Sequence, residues 1–442
     1  MAASDRRRGL YVAFNRAIAD DAREKFGYNV ECRTAHSLAY REIANLGFGE
    51  DRMSRNLTSR LLPGLTGPKW FGKKQFRSLV VMTIRRYFQS DDDRVIARHV
   101  PFLNMIERDD YRELEHVATE AAERVVDRML QVDGDLPLGH DGYLKLWALR
   151  RPRLAADFLL LDEAQDLNPV LVGVAERQAN TQLVCVGDSH QQIYQWRGAV
   201  DALERLPGDL LRLTQSFRFG GEIANLADAV LEQIGERVPL RGLESVRDEV
   251  VECLETPPDA ILCRTNGGVM SNVLRLLENE RSVYVPGGTN DLSMMIDDAD
   301  RLQEGNAPVS PDLIGFTAWR EVVEFAESDE GRHLRPLVRA IERYGTRRLR
   351  NAVARIEIAP TPGTVTVSTC HKAKGLEWDA VEINEDFHCE DPDLAERRLF
   401  YVACTRARRR LACWREIELP FVTERKEDGR EESTTGDPAR AA

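Results

Sequence analysis

Two acidic residues follow a short apolar run in the string FLLLDEAQDLNPV, which covers Phe158–Val170. The apolar run predicts a buried parallel strand, so Asp162 and Glu163 would lie at the carboxyl end of that strand. Open α/β sheets bind their ligands at this end. An aspartate there can bind Mg²⁺, and a neighbouring glutamate can take a proton from an attacking water. The pair indicates a candidate hydrolytic site, with a solvated acidic turn as the alternative.

A second polar string, VCVGDSHQQIYQWRGA at 184–199, follows the first by one βα unit. Gln191 can sense a terminal phosphate and report it to neighbouring DNA-binding groups. Tyr194, Trp196 and Arg197 offer aromatic faces and a cation. Bases of any sequence stack on such faces, at roughly 1–3 kcal/mol per base. The alternative is an aromatic helix that packs on the core, which the polar frame of the string disfavours.

Three strings in the second half of the chain add residues that could bind a nucleotide. In LTQSFRFGG, Phe217 could stack on an adenine ring and Arg218 could bind a phosphate through two hydrogen bonds. In TVSTCHKAKGLEWD, His371 lies in a polar loop and Glu377 could bind a ribose hydroxyl. In ERRLFYVACTRARRRL, Arg406 follows an amphipathic helix and could act as an arginine finger. Ordinary solvated loops and helix ends are the alternative for all three strings.

Two strings near the N-terminus become informative only in company with the others. In YVAFNRAIADD, a strand is predicted to end at Phe14 and Asn15, and a helix follows. In CRTAHSLAY, His36 lies in a polar cluster with Thr34 and Ser37.

The elements that position these residues alternate between short apolar strands and longer helices. This alternation predicts βαβ units, and therefore an α/β fold with parallel sheets in two lobes. The candidate strands are Leu10–Phe14, Phe158–Leu161, Leu183–Val186, Ala260–Cys263, Thr364–Ser368, Ala380–Ile383 and Leu411–Trp414.

Charge-rich helical stretches without strands predict two insertions, one in each lobe. The predicted segments are residues 1–50 and 141–205 for the first lobe, 51–140 for its helical insertion, 206–294 and 359–420 for the second lobe, 295–358 for a smaller insertion, and 421–442 for a disordered tail. The tail is polar and almost free of large apolar residues, which is why we expect it to be disordered.

The bulk composition limits the class of protein. No apolar run approaches the ~20 residues that span a bilayer, and the first ten residues, MAASDRRRGL, carry no signal-peptide core. We therefore expect an intracellular protein without a membrane segment. The net charge of −12 does not indicate nucleic-acid binding, although basic residues are dense at 343–355 and 405–410. The eight cysteines form no C-x-x-C pair, which disfavours a zinc site.

Taken together, the strings resemble superfamily 1 DNA helicases of the UvrD/Rep type. DEAQD resembles the Walker B motif of that family, GDSHQQIYQWRGA its third motif, and HKAKGLEWD and RRLFYVACTRA its fifth and sixth motifs. HDGYLKLWALRRP, just before DEAQD, is similar to the F-box DNA helicase branch and its phage and bacterial relatives. The resemblance runs from about residue 9 to about residue 415.

The resemblance implies two RecA-like lobes, ATP and Mg²⁺ in a cleft, and translocation from 3′ to 5′ along single-stranded DNA in repair, recombination or replication. It implies Mg²⁺ binding by Asp162, general-base catalysis by Glu163, and γ-phosphate contacts from Gln191, Arg218 and Arg406. It also implies adenine stacking on Phe217 and ribose binding by Glu377. The residues that would line the DNA path are Phe14, Asn15, His36, Tyr194, Trp196, Arg197 and His371.

One motif of the family, the phosphate-binding loop G-x-x-x-x-G-K-[ST], is not found before YVAFN, where the family carries it. Gly67–Lys74 fits part of that pattern but has Lys74 in place of Ser or Thr and no preceding strand. Three explanations stay open: a misassigned start, a split or interrupted gene, and a complete protein that no longer hydrolyses ATP. We expect an incomplete or split helicase that uses an N-terminal fragment with the loop. The competing hypothesis is an ATP-independent module that binds single-stranded DNA or regulates a partner.

Overall fold

The fold is described from a computed structural model. It describes residues 7–13, 16–102, 108–194, 200–306, 308–310, 313, 316–328, 331–387 and 392–413. The chain divides into two compact units, Met1–Leu211 and Arg212–Ala442. Both contain an all-parallel sheet with helices, as the alternating sequence pattern predicts.

Unit 1 is built on a four-stranded parallel sheet with the order β2-β1-β3-β4. Its strands are β1 (Gly9–Ala13), β2 (Val30–Thr34), β3 (Phe158–Leu161) and β4 (Gln182–Cys185). Its helices are α1 (Arg16–Lys25), α2 (Ala35–Asn45), α3 (Glu50–Ser54), α4 (Lys73–Phe88), α5 (Arg108–Leu130), α6 (Gly139–Leu149), α7 (Pro169–Glu176) and α8 (Ala202–Arg205). The segment 51–140 therefore contributes helices and, where it is described, no strand.

The sheet of unit 1 buries one face in the main core. Leu10 and Val12 of β1 and Leu159 and Leu161 of β3 point to that face, as the two-residue period of a strand requires. Helix α7 covers it, and begins at Asn168, whose side chain accepts a hydrogen bond from the Val170 amide, with Pro169 in the first turn. The sheet and the helical segment α3–α6 share one continuous core.

Unit 2 is built on a six-stranded parallel sheet with the order β5-β10-β9-β6-β8-β7. Its strands are β5 (Glu249–Val251), β6 (Ala260–Cys263), β7 (Val283–Tyr284), β8 (Val365–Thr369), β9 (Trp378–Ile383) and β10 (Ala407–Ala412). Its helices are α9 (Gly221–Gln233), α10 (Asn266–Glu278), α11 (Asn290–Gln303), α12 (Trp319–Glu327), α13 (Arg335–Val353), α14 (Cys370–Ala373) and α15 (Leu394–Cys404). The last strand begins four residues before the predicted Leu411, because Ala407 already pairs with Trp378 of β9.

None of the helices within the described ranges is long and apolar enough to cross a membrane. Cysteine Cys263 is buried in β6 as the apolar run around it predicts, and burial raises the pKa of its thiol.

A buried lysine joins α6 to the end of α4. The Lys145 ammonium donates hydrogen bonds to the carbonyl oxygens of Ser90, at 2.6 Å, and Asp92, at 2.5 Å, and lies 4.5 Å from the centre of the Tyr87 ring. Burial lowers the pKa of Lys145 to about 8, although Asp92, Asp91 and Asp93 oppose the shift.

This lowered pKa predicts a stability that depends on pH. Between about pH 8 and 10.5 the unfolded chain holds the Lys145 proton and the folded chain has released it. The free energy of unfolding of the wild type should therefore rise with pH in this window, by roughly 1.4 kcal/mol per pH unit, relative to Lys145→Met. Urea unfolding of both proteins at pH 7, 8.5 and 10 measures the difference. A difference that does not change with pH would contradict the lowered pKa.

Candidate active site

An aspartate and a tyrosine meet at the carboxyl edge of the unit 1 sheet. Tyr11 of β1 lies opposite Leu160 of β3, and Asp162 follows β3 by one residue. The Tyr11 hydroxyl donates a hydrogen bond of 2.5 Å to Asp162 Oδ2. Burial, together with the Asp162 carboxylate, raises the pKa of Tyr11 far above its ordinary value. Tyr11 therefore remains a hydrogen-bond donor that orients Asp162.

Glu163 adopts a backbone conformation that is rare for its residue type. Its φ of 51° and ψ of 45° lie in the left-handed region, which costs roughly 1–2 kcal/mol for a residue with a Cβ. Two contacts hold it there. Its amide donates to Asp162 Oδ1 at 3.0 Å, and its Oε2 accepts from Gln165 Nε2 at 2.7 Å. The carboxylate of Glu163 is thus oriented by its own loop.

Gln165 connects this loop to the loop after β4. It is 1% exposed, and its Oε1 accepts a hydrogen bond of 3.0 Å from the Asp188 amide. The loops after β3 and β4 approach each other closely because residue 187 is glycine. A Cβ on Gly187 would lie 2.3 Å from Gln165 Oε1 and 2.9 Å from the Ala164 amide nitrogen. Glycine at 187 is therefore required for the two loops to touch.

The connection continues to Gln191. Gln191 Nε2 donates to Asp188 Oδ2 at 2.9 Å, and Asp188 Oδ1 accepts from the His190 amide at 3.0 Å. Asp162, Glu163, Gln165, Asp188 and Gln191 form one series of hydrogen-bonded residues, which we call the acidic-edge network. It brings three sequence-predicted residues together: Asp162, Glu163 and Gln191.

The oxygen donors of the acidic edge fit a magnesium ion that is bound mainly by a nucleotide. Within the described part of the chain, no group of three or more His, Cys, Asp or Glu could hold a metal by protein ligands alone. Mg²⁺ at phosphate sites needs only one or two carboxylates, with phosphate oxygens and waters as its other ligands. Asp162 supplies such a carboxylate, and Asp188, across Gln165, could supply a second.

In unit 2, the predicted nucleotide residues Arg218 and Glu377 bind each other. Arg218 Nε donates to Glu377 Oε2 at 2.6 Å, and Arg218 Nη1 donates to the carbonyl oxygen of Thr405 at 2.9 Å. Burial alone would raise the pKa of Glu377, but the hydrogen bond and charge of Arg218 and the charge of Arg408 hold it below its ordinary value. Phe217, next to Arg218, is 77% exposed, so its ring is open to a ligand.

Arg406 lies inside unit 2. It follows α15 by two residues and is 2% exposed. Its Nε donates to the Val402 carbonyl oxygen at 3.0 Å, and its Nη2 donates to Thr405 Oγ1 at 3.1 Å. A solvated helix end, the alternative that the sequence left open, is therefore wrong for this residue. Arg406 and Arg218 both contact Thr405, which brings the two predicted phosphate-binding arginines to one place in unit 2.

Comparison with known proteins bears on both units. Residues 74–204 match the family model of the UvrD/REP helicase N-terminal domain, and residues 364–412 match that of the UvrD-like helicase C-terminal domain. F-box DNA helicase 1 of Gallus gallus is 30% identical over 92% of this chain and 45% of its own length. F-box DNA helicase protein 1 of Schizosaccharomyces pombe is 30% identical over 91% of this chain and 52% of its own length. The chain belongs to the UvrD/Rep-type helicases.

The relatives differ in how much of this chain they match and in how much of their own length is matched. A putative ATP-dependent DNA helicase of Bacillus subtilis, YjcD, is 34% identical over a shorter stretch, 21% of this chain. The chain spans about half the length of the two F-box relatives. The two family models match part of each unit, including the loops after β3 and β4 and the helix before Arg406.

The residues predicted to line the DNA path are spread over the helicase. His36 lies on α2, where its ring makes edge contacts with Tyr143, at 5.9 Å between centroids, and His140, at 6.4 Å. Burial lowers the pKa of His36, against the charge of Asp141. Tyr194 is half-buried in unit 1, and His371 is half-buried on α14 of unit 2. The predictions for Phe14, Asn15, Trp196 and Arg197 lie outside the described residues.

The partial phosphate-loop pattern Gly67–Lys74 lies at the start of a helix of the helical segment. Gly72 is the residue before α4, and no strand precedes it between α3 and α4. A Cβ on Gly67 would lie 2.3 Å from the ring of Phe76, so this glycine is explained by packing. The structure gives the string no phosphate site of the strand–loop–helix kind.

The sequence reasoning missed Tyr11, Gln165 and Asp188. Gln165 was visible within DEAQD, and the Gly187–Asp188 pair within VCVGD. The signal in the sequence that could have identified these residues is their position beside predicted site residues at strand ends. The sequence alone could not show that the loops after β3 and β4 contact each other, because α7 separates them along the chain.

The acidic-edge network predicts that Gln165→Leu destabilises unit 1. The change removes the partner of the Glu163 carboxylate and of the Asp188 amide, which should lower the free energy of unfolding by about 1–3 kcal/mol. Urea unfolding measures the loss. Gln75→Leu, on the exposed side of α4, is the matched control and should change stability by less than about 0.5 kcal/mol. Equal losses in the two variants would contradict the role of Gln165.

Proposed function

We propose that this helicase is an ATP-dependent motor that moves from 3′ to 5′ along single-stranded DNA. The observation that supports the proposal is the acidic-edge network, in which hydrogen bonds through Gln165 and Asp188 join Asp162 and Glu163 to Gln191. A chain that only bound DNA would have no physical need to hold Glu163 in a left-handed conformation beside Asp162.

In the proposed reaction, unit 1 performs the hydrolysis. Mg²⁺ bound with ATP would neutralise the phosphates, with Asp162 as its protein ligand. Glu163 would take a proton from the attacking water, and Gln165 would keep the Glu163 carboxylate oriented for that step. Gln191 would contact the γ-phosphate. Because Gln191 lies three residues before Tyr194, a change at the phosphate would reach the aromatic DNA residues directly along the chain.

Four further residues would bind the nucleotide. Phe217 would stack on adenine, Glu377 would bind the ribose, and Arg218 and Arg406 would stabilise the charge that develops on the γ-phosphate. Arg218 and Glu377 would have to exchange their mutual ion pair for contacts with the nucleotide. His36, His371, Tyr194, Trp196, Arg197, Phe14 and Asn15 would line the DNA path.

The proposal also requires a phosphate-binding loop. The only Gly-Lys pair among the 442 residues is Gly72–Lys73, at the start of α4. We infer that the loop is supplied by a segment outside these residues. The second candidate function is an ATP-independent module that binds single-stranded DNA, and it is favoured by the lack of a phosphate-binding loop pattern among these residues.

Nucleotide-dependent DNA affinity separates the two candidates. Binding of a fluorescent oligothymidine is measured against salt concentration, with and without a non-hydrolysable ATP analogue and Mg²⁺. The motor predicts at least a threefold change in affinity on adding nucleotide, once the loop is present. Salt-dependent binding that nucleotide does not change would support the ATP-independent module instead.

A further inference from the structure

Residues 192–199 follow Gln191 and include three of the predicted DNA residues, and we call them the DNA string. The acidic-edge network ties Gln191, at the first end of the DNA string, to the loop after β3. At the second end, the amide of Val200 donates to the carbonyl oxygen of Leu167 at 3.2 Å. Leu167 belongs to the same loop, directly after Asp166. Both ends of the DNA string are therefore connected to the loop after β3.

One arginine extends the second of these connections to the helical segment. Arg205 is the last residue of α8, which begins two residues after Val200. Its Nε and Nη2 donate to the two carboxylate oxygens of Glu176, at 2.7 and 2.9 Å, and Nη2 also donates to Asp91 Oδ2 at 2.5 Å. Glu176 is the last residue of α7, and Asp91 lies in the turn after α4. Arg205 therefore joins α8 both to α7 and to the helical segment.

Helix α8 depends on such contacts for its position. It has four residues, which is too short for its own hydrogen bonds to fix it. Ala202 packs in the main core at one end, and Arg205 binds two carboxylates at the other. Two parallel hydrogen bonds to one carboxylate hold a guanidinium in a single orientation. The side chains of Arg205, Asp91 and Glu176 are 31%, 31% and 33% exposed, so water competes less for these contacts than at a fully exposed pair.

The turn after α4 can support Arg205 because other residues hold the turn in place. The Lys145 ammonium binds the carbonyl oxygens of the residues before and after Asp91. His99 Nδ1 accepts from the Ile96 amide, so its Nε2 carries the proton and donates to Asp92 Oδ2 at 2.8 Å. Loss of the Arg205 side chain should therefore leave the turn folded and release only α8.

We propose that Arg205 is a positioning residue for DNA binding. It fixes α8 against α7 and the helical segment, and it thereby holds the aromatic residues of the DNA string where the bases of single-stranded DNA can stack on them. The inference rests on the proposed function, which assigns Trp196 to the DNA path. Arg205 acts through the DNA string and not as a phosphate ligand, since carboxylates occupy its Nε and Nη2. The helical segment is then a support for the DNA string.

The first measurement is the affinity of the 442-residue chain for a fluorescent oligothymidine at several salt concentrations, without nucleotide. Arg205→Ala should weaken binding at least about fivefold throughout, because the stacking residues are no longer held. The slope of log affinity against log salt should not change, whereas loss of one phosphate contact would reduce it by about 0.7. The matched control, Arg98→Ala, removes an ion pair with Asp92 in the same turn and should change affinity by less than about twofold.

A double-mutant cycle tests whether Arg205 acts through the DNA string. Trp196→Ala alone should weaken binding at least about fivefold. In that background Arg205→Ala should weaken binding by less than about twofold, because the ring that it positions is already gone. Arg205→Lys keeps the charge but loses the planar fork, and should weaken DNA binding in the same direction with a smaller effect on folding. The midpoint of thermal unfolding should fall by less than about 4 °C in each variant.

Three results would overturn the inference alone: wild-type affinity in Arg205→Ala and Arg205→Lys, a salt slope reduced by about 0.7, or an undiminished loss of affinity when Arg205→Ala is added to Trp196→Ala. A purely structural arginine would give the last of these, since its effect would not depend on Trp196. Wild-type affinity in Trp196→Ala would contradict the DNA path of the proposed function and the inference with it. The two failures are therefore distinguishable.

Discussion

Glu163→Gln should lower DNA-stimulated ATP hydrolysis by about 10²–10⁴-fold in the loop-bearing enzyme, because it removes the group that takes the proton from water. Affinity for single-stranded DNA should change by less than about threefold, since the Glu163 carboxylate is bonded by Gln165 of its own loop. The amide of glutamine still reaches Gln165, so the fold of the loop should survive. Steady-state hydrolysis and DNA titration of the purified variant measure both quantities.

The matched control is Glu204→Gln, at an exposed glutamate of α8 in the same unit. It removes the same charge and should hydrolyse ATP at the wild-type rate. ATP hydrolysis by Glu163→Gln at the wild-type rate would contradict the assignment of Glu163 as the base. Asp188, the other carboxylate of the network, would then be the candidate base.

Arg406→Ala should lower ATP hydrolysis by about 10³-fold or more, if Arg406 acts on the γ-phosphate as arginine fingers do. The same change should lower the free energy of unfolding of unit 2 by about 2 kcal/mol, because the buried side chain donates to the Val402 carbonyl and the Thr405 hydroxyl. Hydrolysis under saturating ATP and thermal unfolding therefore report two separate effects of one substitution.

Arg409→Ala separates these effects from a general loss of positive charge. Arg409 lies on β10, three residues after Arg406, and its side chain is largely exposed beside Asp379. This variant should retain both hydrolysis and stability. Arg406→Lys keeps the charge and should recover part of the stability but little of the hydrolysis, because lysine cannot reproduce the planar guanidinium. Normal ATP hydrolysis by an Arg406 variant that unfolds at a lower temperature would show that Arg406 has only a structural role.

The sheets could be predicted because their central strands are continuous apolar runs. Phe158–Leu161 and Ala260–Cys263 begin and end where the sequence predicts, and the interleaved helices predict two parallel sheets. The strands that were missed are β2, β5 and β7. Val30–Thr34 alternates buried and exposed residues on an edge, and β5 and β7 are two or three residues long, so neither hydrophobicity nor length marks them.

Site residues, like strands, could be predicted where local sequence determines their location and could not where tertiary packing does. Asp162 and Glu163 could be placed because a strand end determines their location. The ion pair of Arg218 with Glu377 could not be predicted, since 158 residues lie between them and tertiary packing alone brings them together. The burial of Arg406 was missed for a related reason. In a sequence, a run of arginines is typical of a solvated surface. In the structure, the turn after α15 directs the Arg406 guanidinium onto the preceding helix.

The most direct test of the motor is ATP hydrolysis by the loop-bearing enzyme, in which a phosphate-binding loop is supplied from outside these residues, with and without single-stranded DNA. We predict turnover that DNA stimulates at least tenfold, that Glu163→Gln abolishes, and that the control Glu204→Gln leaves unchanged. Loop-bearing protein that is folded and binds single-stranded DNA, but hydrolyses no ATP in either condition, would contradict the account of this helicase as an ATP-driven motor.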